Sequence, residues 1–224
     1  MRPLIVAIDG PSGAGKGTVA RAVASRLGYR HVDSGAMYRA VGWKALKGGV
    51  RLDDEAEVAQ VAGRAAIAID GGTVTVDGAD VTREIRTPEI DGAAAAVARL
   101  PRVRDVLVAR QRAMGEGGGI VMEGRDIGTV VFPGADVKIY LDALPEERAR
   151  RRASDPAHSG GPARLSEVAT LLTERDRIDQ TRTVSPLYAA PDALVIDTTG
   201  KTVDAVVTDV MNAVNQKLEL KSQK

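Results

Sequence analysis

The sequence predicts an α/β fold built on a doubly wound parallel sheet, and three observations carry that prediction. A continuous β-branched run, Leu4-Ile5-Val6-Ala7-Ile8, leads into the glycine-rich stretch Gly10-Pro11-Ser12-Gly13-Ala14-Gly15-Lys16-Gly17-Thr18 and then into a helical pattern. Further short apolar runs recur between helical segments, the rhythm of strands buried on both faces of a parallel sheet. Between about Asp53 and Leu100 that rhythm breaks into period-two alternation, which marks an excursion of another kind.

Each element can be justified in turn. Leu4 to Ile8 reads as a buried strand, and the helix after the glycine loop runs to about Leu27, with Val19, Ala20, Val23, Ala24 and Leu27 on one face and Gly28 as its stop. His31-Val32 reads as a short strand. Ile67-Ala68-Ile69 and Thr73-Val74-Thr75-Val76, followed by Asp77-Gly78, form a small antiparallel excursion. Ile120 to Met122, Val137 to Leu141 and Ala193 to Ile196 are the remaining core strands, and a helix is expected over Leu165 to Arg182. Ser154 to Pro162 (SDPAHSGGP) interrupts two charged helices and reads as a hinged flap.

Composition narrows the function. The 224 residues hold 31 Lys and Arg against 30 Asp and Glu, so the net charge of +1 gives no reason to expect nucleic acid or a membrane surface as partner. With no cysteine there is no disulfide, thiolate nucleophile or thiolate zinc site. Leu4 to Ile8 falls far short of a signal-peptide core and no run approaches a membrane span, so a soluble cytoplasmic protein is expected. No large exposed apolar patch can be read, and a monomer is the expectation.

The glycine loop carries the chemistry. Glycines at 10, 13, 15 and 17 let backbone amides turn inward around a phosphate, the following helix adds its positive end, and Lys16 can reach β and γ phosphates. The stretch nearly fits GxxxxGK[ST], but Gly17 stands where the hydroxyl residue is expected, which moves that role to Thr18, at the phosphate or its Mg²⁺. The GxxGxG spacing with a lysine argues against a dinucleotide loop. No NKxD string reads guanine, while Asp142 after a strand could serve a hydrolytic ATPase, so the loop alone leaves the acceptor open.

Arginines narrow the choice. Arg175, Asp179 and Arg182, four and three apart, share one helix face, where two guanidiniums could grip a phosphate beside a carboxylate; intrahelical ion pairs on a solvated helix are the alternative. Arg148, Arg150, Arg151 and Arg152 crowd the helix before the flap, a placement suited to closing over phosphates or to a soluble surface. Glu123-Gly124-Arg125-Asp126 follows a strand at the edge where sheet ligands collect. Asp33-Ser34 before Gly35-Ala36-Met37-Tyr38-Arg39 offers either an anion site or a helix cap. Arg102 and Arg104 open another helix. His31 and His158 match no nucleophile-base pattern and are expected to be structural or solvated.

IDGPSGAGKGT, DSGAMYR, EIRTPEI, PRVR, EGRDIGTVVFP, VKIYLDA, ERD and SPLYAA together resemble bacterial cytidylate kinases, among the nucleoside monophosphate kinases, in order over nearly the whole chain. The resemblance implies a three-layer P-loop kinase core with a parallel sheet (1–33, 105–147 and 165–224), an antiparallel nucleotide-binding insertion (34–104) and a short lid (148–164). It implies transfer of the γ-phosphoryl of MgATP to CMP or dCMP. ATP is then held by residues 10–18 with Arg148 and Arg151, and the acceptor by Ser34, Gly35, Tyr38, Arg39, Arg104, Arg125, Asp126, Arg175, Asp179 and Arg182. Lys16, Arg125, Arg175 and Arg182 are implied as catalytic, with Asp179 at the ribose and Arg104 with Asp126 at the cytosine edge.

Overall fold

The computed structural model describes residues 2–155 and 165–223. Strand β1 (Ile5–Asp9) lies at the centre of a five-stranded sheet, all of whose pairings are parallel. On one side of it are β6 (Ile120–Gly124) and then β2 (Arg30–Asp33); on the other are β7 (Val137–Asp142) and then β8 (Leu194–Asp197). The order β2-β6-β1-β7-β8 places sequence-distant strands side by side. Register sets Asp9 opposite Gly124 and Tyr140, and Asp33 opposite Glu123, so the carboxyl ends of these strands share one edge.

Period-two geometry divides β1 between two cores. Val6 and Ile8 pack with Val19 and Val23 of α1 (Lys16–Leu27) and Val207 and Val210 of α8 (Val203–Ser222). Ile5 and Ala7 face the opposite layer, with Met37 and Val41 of α2 (Ser34–Lys47) and Leu107 of α5 (Pro101–Met114). Each fully buried side chain of this size contributes about 1.5–3 kcal/mol. Helix α1 stops where expected: Gly28 takes a left-handed conformation and its N–H reaches the carbonyls of Ala24 and Ser25.

The excursion is an antiparallel sheet of β3 (Ile67–Asp70), β4 (Thr73–Val76) and β5 (Ala79–Asp80). The two-residue β5 has no counterpart in the sequence reading, being too short to show a period. Ile69, Val74 and Val76 join the same buried cluster as Met37 and Met122, so this segment shares the hydrophobic core of the main sheet. Helices α3 (Glu55–Arg64) and α4 (Pro88–Val97) complete it. α4 lies so close to α2 that a Cβ placed on Gly42 would come 2.9 Å from the Cβ of Ala93.

Helices α6 (Pro145–Ala153) and α7 (Leu165–Thr181) flank residues 156–164, so most of the expected flap, and His158, lie outside the described residues. They pack through Ala149, Val168 and Leu172. Among the described residues no helix is long and apolar enough to cross a membrane.

Candidate active site

A cleft of about 700 Å³ opens at the carboxyl edge of the sheet, between the glycine loop and a wall of arginines. In the glycine loop, Gly10, Gly13 and Gly15 adopt φ of +146°, +79° and +89°, which side chains rarely tolerate, and this is how the loop turns its backbone inward. Lys16 opens α1 and folds back, its Nζ donating to the carbonyl of Pro11 at 2.7 Å. Burial, aided by the nearby Arg125 guanidinium, pulls the Lys16 ammonium down to about 7. No acidic side chain stands in the first turn of α1 to compete for an anion at its amino end.

The glycine at position 17 has a local cause. A Cβ there would lie 3.0 Å from Oε1 of Glu123, the carboxylate at the end of β6. Glu123 occupies the space that a hydroxyl side chain needs, and it is held there by His31, whose Nε2 lies 3.1 Å from the same oxygen. His31 is therefore structural, as expected. Thr18, one residue on, lines the cleft.

The opposite wall holds paired guanidiniums. Arg39 donates to Asp33 at 2.6 Å, Arg125 Nε to Asp179 at 2.9 Å, and Arg104 to Asp126, with its guanidinium also 5.7 Å from the centre of the Tyr38 ring. Although burial works against them, the carboxylates beside Arg39 and Arg125 raise both above the ordinary arginine range. Arg175 and Arg182 behave oppositely. Burial and neighbouring guanidiniums lower both, because Arg175 reaches Asp91 only at 3.5 Å and Arg182 reaches Asp126 only at 4.0 Å.

Several buried donors of this wall lack hydrogen-bond partners: Arg39 Nε, Arg104 Nε, Arg175 Nε and Arg182 Nη2. Burial pushes the Tyr38 hydroxyl beside them up to about 12, so it keeps its proton. Unsatisfied buried donors each cost about 1–3 kcal/mol. The four arginines that carry them all line one cleft, and such a gathering of guanidiniums suits an anion rich in acceptor oxygens.

Of the residues singled out in the sequence, 12–18, Ser34, Gly35, Tyr38, Arg39, Arg104, Arg125, Asp126, Arg151, Arg175, Asp179 and Arg182 line the cleft together. Gly10 and Pro11 support the loop from beneath. Arg148 is a correction: it does not line the cleft, being buried behind the loop, where it donates to Asp176, to the Ala143 carbonyl at 3.0 Å and to the Ser12 carbonyl at 3.3 Å. Arg151 bonds Thr198 and Glu147 at the loop's flank. Asp142 turns onto its own neighbour's amide, Ala143 N–H at 2.8 Å, and does not enter the cleft. Asp33 caps α2 through Ala36 N–H, so the cap reading holds for it, while the Ser34 hydroxyl donates to the Glu123 carbonyl at 2.6 Å. Sequence reasoning missed Asp9, and Asp91, which pairs with Arg152 and Arg175. Neither has a local pattern that signals its partners.

The family model for cytidylate kinase matches residues 6–216. This chain belongs to the cytidylate kinase family. It is 47% identical over 221 residues to a cytidylate kinase from Geobacillus thermodenitrificans, covering 97% of this chain and 99% of that one. It is 48% identical over 214 residues to a cytidylate kinase from Desulforamulus reducens, covering 94% and 96%. A gluconokinase from Sinorhizobium meliloti 1021 shares the fold at 14% identity and a TM-score of 0.52, over 99% of this chain and 98% of that one. The cytidylate kinase assignment thus rests on sequence along the whole chain, and the likeness to the gluconokinase concerns the fold alone.

Proposed function

We propose that the protein transfers the γ-phosphoryl group of ATP to CMP or dCMP, giving ADP and CDP or dCDP. The observation that carries this reading is that Arg39, Arg104, Arg125, Arg175 and Arg182 line the same cleft as the phosphate loop, which calls for a second anionic substrate and not for water alone. In this reading residues 34–104 bind the acceptor, 148–164 form the lid, and 1–33, 105–147 and 165–224 are the core. Donor phosphates rest on the amides of the loop and on Lys16. The acceptor phosphate is gripped by Arg39, Arg125, Arg175 and Arg182, its ribose by Asp179, and its base by Arg104 with Asp126.

The chain needs no protein base. The acceptor phosphate, with a second pKa of about 6, is already largely ionised at neutral pH. The obstacle is repulsion between two polyanions, which Lys16 and the arginine wall offset while stabilising the charge that develops on the moving group. Water is excluded as the cleft closes.

Magnesium fits the donor chemistry of the loop's flank, where Thr18, Asp33 and Glu123 offer hard oxygens. Among the described residues no three side chains are grouped to hold a metal, so Thr18, phosphates and water would complete its shell. When bound, the ion neutralises phosphate charge. Free nucleotides in the cytoplasm as substrates and a monomeric enzyme complete the reading.

An ADP-release assay with CMP, dCMP, UMP, AMP and shikimate tests it. Turnover is expected with CMP and dCMP. ATP hydrolysis indifferent to every acceptor would overturn the proposal and favour a nucleotide-dependent switch.

A further inference from the structure

Asp9 is the last residue of β1 and directly precedes the first glycine of the phosphate loop. It is buried, and its two carboxylate oxygens accept from two successive backbone amides, Ile127 N–H at 2.8 Å and Gly128 N–H at 2.7 Å. Among the described residues it forms no ion pair. Burial pushes its carboxyl up to about 6, opposed by the two amides and, more weakly, by the charge of Lys16.

The amides belong to the single π-helical turn Ile127–Val131, which begins immediately after Arg125 and Asp126. That turn is also held at its far end, where Arg112 donates to the carbonyls of Val130 at 2.7 Å and Val131 at 3.0 Å. At its near end the Asp9 bonds act beside the buried Ile127 side chain and the Arg104–Asp126 and Arg125–Asp179 pairs, and among these they are the ones that tie the turn's own backbone to the start of the phosphate loop. Space is tight around the contact: a Cβ on Gly128 would lie 3.3 Å from Asp9 Oδ2 and 3.2 Å from Lys138 Cδ.

We propose that Asp9 is a positioning residue that fastens the turn carrying Arg125 and Asp126 to the start of the phosphate loop, and so fixes the acceptor side of the cleft relative to the donor side. Asp9 touches neither substrate. It acts through Arg125 and Asp126, whose separation from Lys16 depends on this clamp. The inference rests on the reading of the cleft as a donor site facing an acceptor site.

The test compares Asp9→Asn with the parent enzyme. An asparagine side chain has one carbonyl oxygen for the two amides and leaves the other unmet. The expected result is an acceptor KM raised and a kcat lowered, together by about 10- to 100-fold in kcat/KM for CMP, the scale of a buried donor left unmet. The affinity for ATP alone, by titration calorimetry, is expected to stay within about twofold, and amide exchange at Ile127 and Gly128 to accelerate. Equal losses for both substrates would reduce Asp9 to a general structural role, and unchanged acceptor kinetics would also overturn the proposal. If Asp9→Asn does not fold, Gly128→Ala crowds the same contact from the other side and is read the same way. Should the parent enzyme fail to phosphorylate CMP, the functional reading falls, while amide exchange at Ile127 and Gly128 still judges the clamp.

Discussion

Arg125 donates from Nε to the carboxylate of Asp179 at 2.9 Å, joining the residue that follows β6 to α7 within the arginine wall of the cleft. Although burial pushes the Asp179 carboxyl up, Arg125, Arg175 and Arg182 hold it below the usual carboxylate range, so it is ionised throughout the working pH range. Asp179→Ala leaves these guanidiniums without their shared counter-charge. The KM for CMP is expected to rise at least ~10-fold, with the KM for ATP changed less than about twofold, since truncating one partner of a buried charge pair costs about 2–5 kcal/mol. Steady-state kinetics with each substrate varied would show it, and equal shifts in both constants would contradict it.

Lys16 and Arg182 line the cleft from its two sides, and in the proposed reaction the charge of each is felt most when the phosphoryl group is in transit. Lys16→Ala and Arg182→Ala are each expected to lower turnover at least ~100-fold in a protein that still folds. Near-parent kinetics in either variant would show that its charge is not used.

The pH dependence of ATP binding follows from the lowered Lys16 ammonium. With its value near 7 in the substrate-free cleft, Lys16 is mostly neutral at pH 8.5. Binding of a polyanion favours the charged form, so the lysine must take up a proton. Calorimetric titration of ATP at pH 8.5, without magnesium and in buffers of differing ionisation enthalpy, is expected to show uptake approaching one proton. At pH 5.5 the lysine is already charged and its share of the uptake vanishes. No uptake at pH 8.5 would mean that the ammonium is charged before ATP arrives.

Arg148 and Asp176 are both buried, and their ion pair supports the loop from behind. Arg148→Ala strands the Asp176 carboxylate, a loss of about 3–5 kcal/mol. That corresponds to a fall in Tm of roughly 10 °C for a chain of this size. Arg150, two residues away, is exposed and pairs with Glu147 on its own helix, so Arg150→Ala is expected to change stability by less than ~0.5 kcal/mol. Thermal denaturation of the two variants side by side distinguishes a support from a surface charge.

The sequence was legible where its signals are local. The glycine loop, the strand before it and the helix after it lie within one continuous stretch, and the α7 arginines show themselves by helical spacing. Arg148 was misplaced because nothing near it in the chain announces Asp176, 28 residues further on, as the group that draws its guanidinium behind the loop. Asp9 was unread for the same reason, since the amides it binds lie more than a hundred residues away. Gly17 had only half an explanation: the displaced hydroxyl could be seen, but the Glu123 carboxylate that excludes a side chain there comes from another strand. The antiparallel excursion was recognised by its period, yet its share in the main core could not be, because tertiary packing and not alternation decides which cluster Ile69 and Val74 enter.

The bare contact between Gly42 and Ala93 links a remote position to the wall of the proposed acceptor chamber. Ala94, Ala95 and Ala98, at and just beyond the end of α4, form part of its wall, and that wall rests on α2 with no side chain as spacer. A methyl group at position 42 would act as a wedge, pushing the wall inward or tilting it. Gly42→Ala is therefore expected to alter which bases fit without touching any of them, so the ratio of CMP to UMP turnover should move while ATP binding does not. If the proposed acceptor site is right, the width of a nucleotide's berth depends on the absence of one carbon atom a layer away.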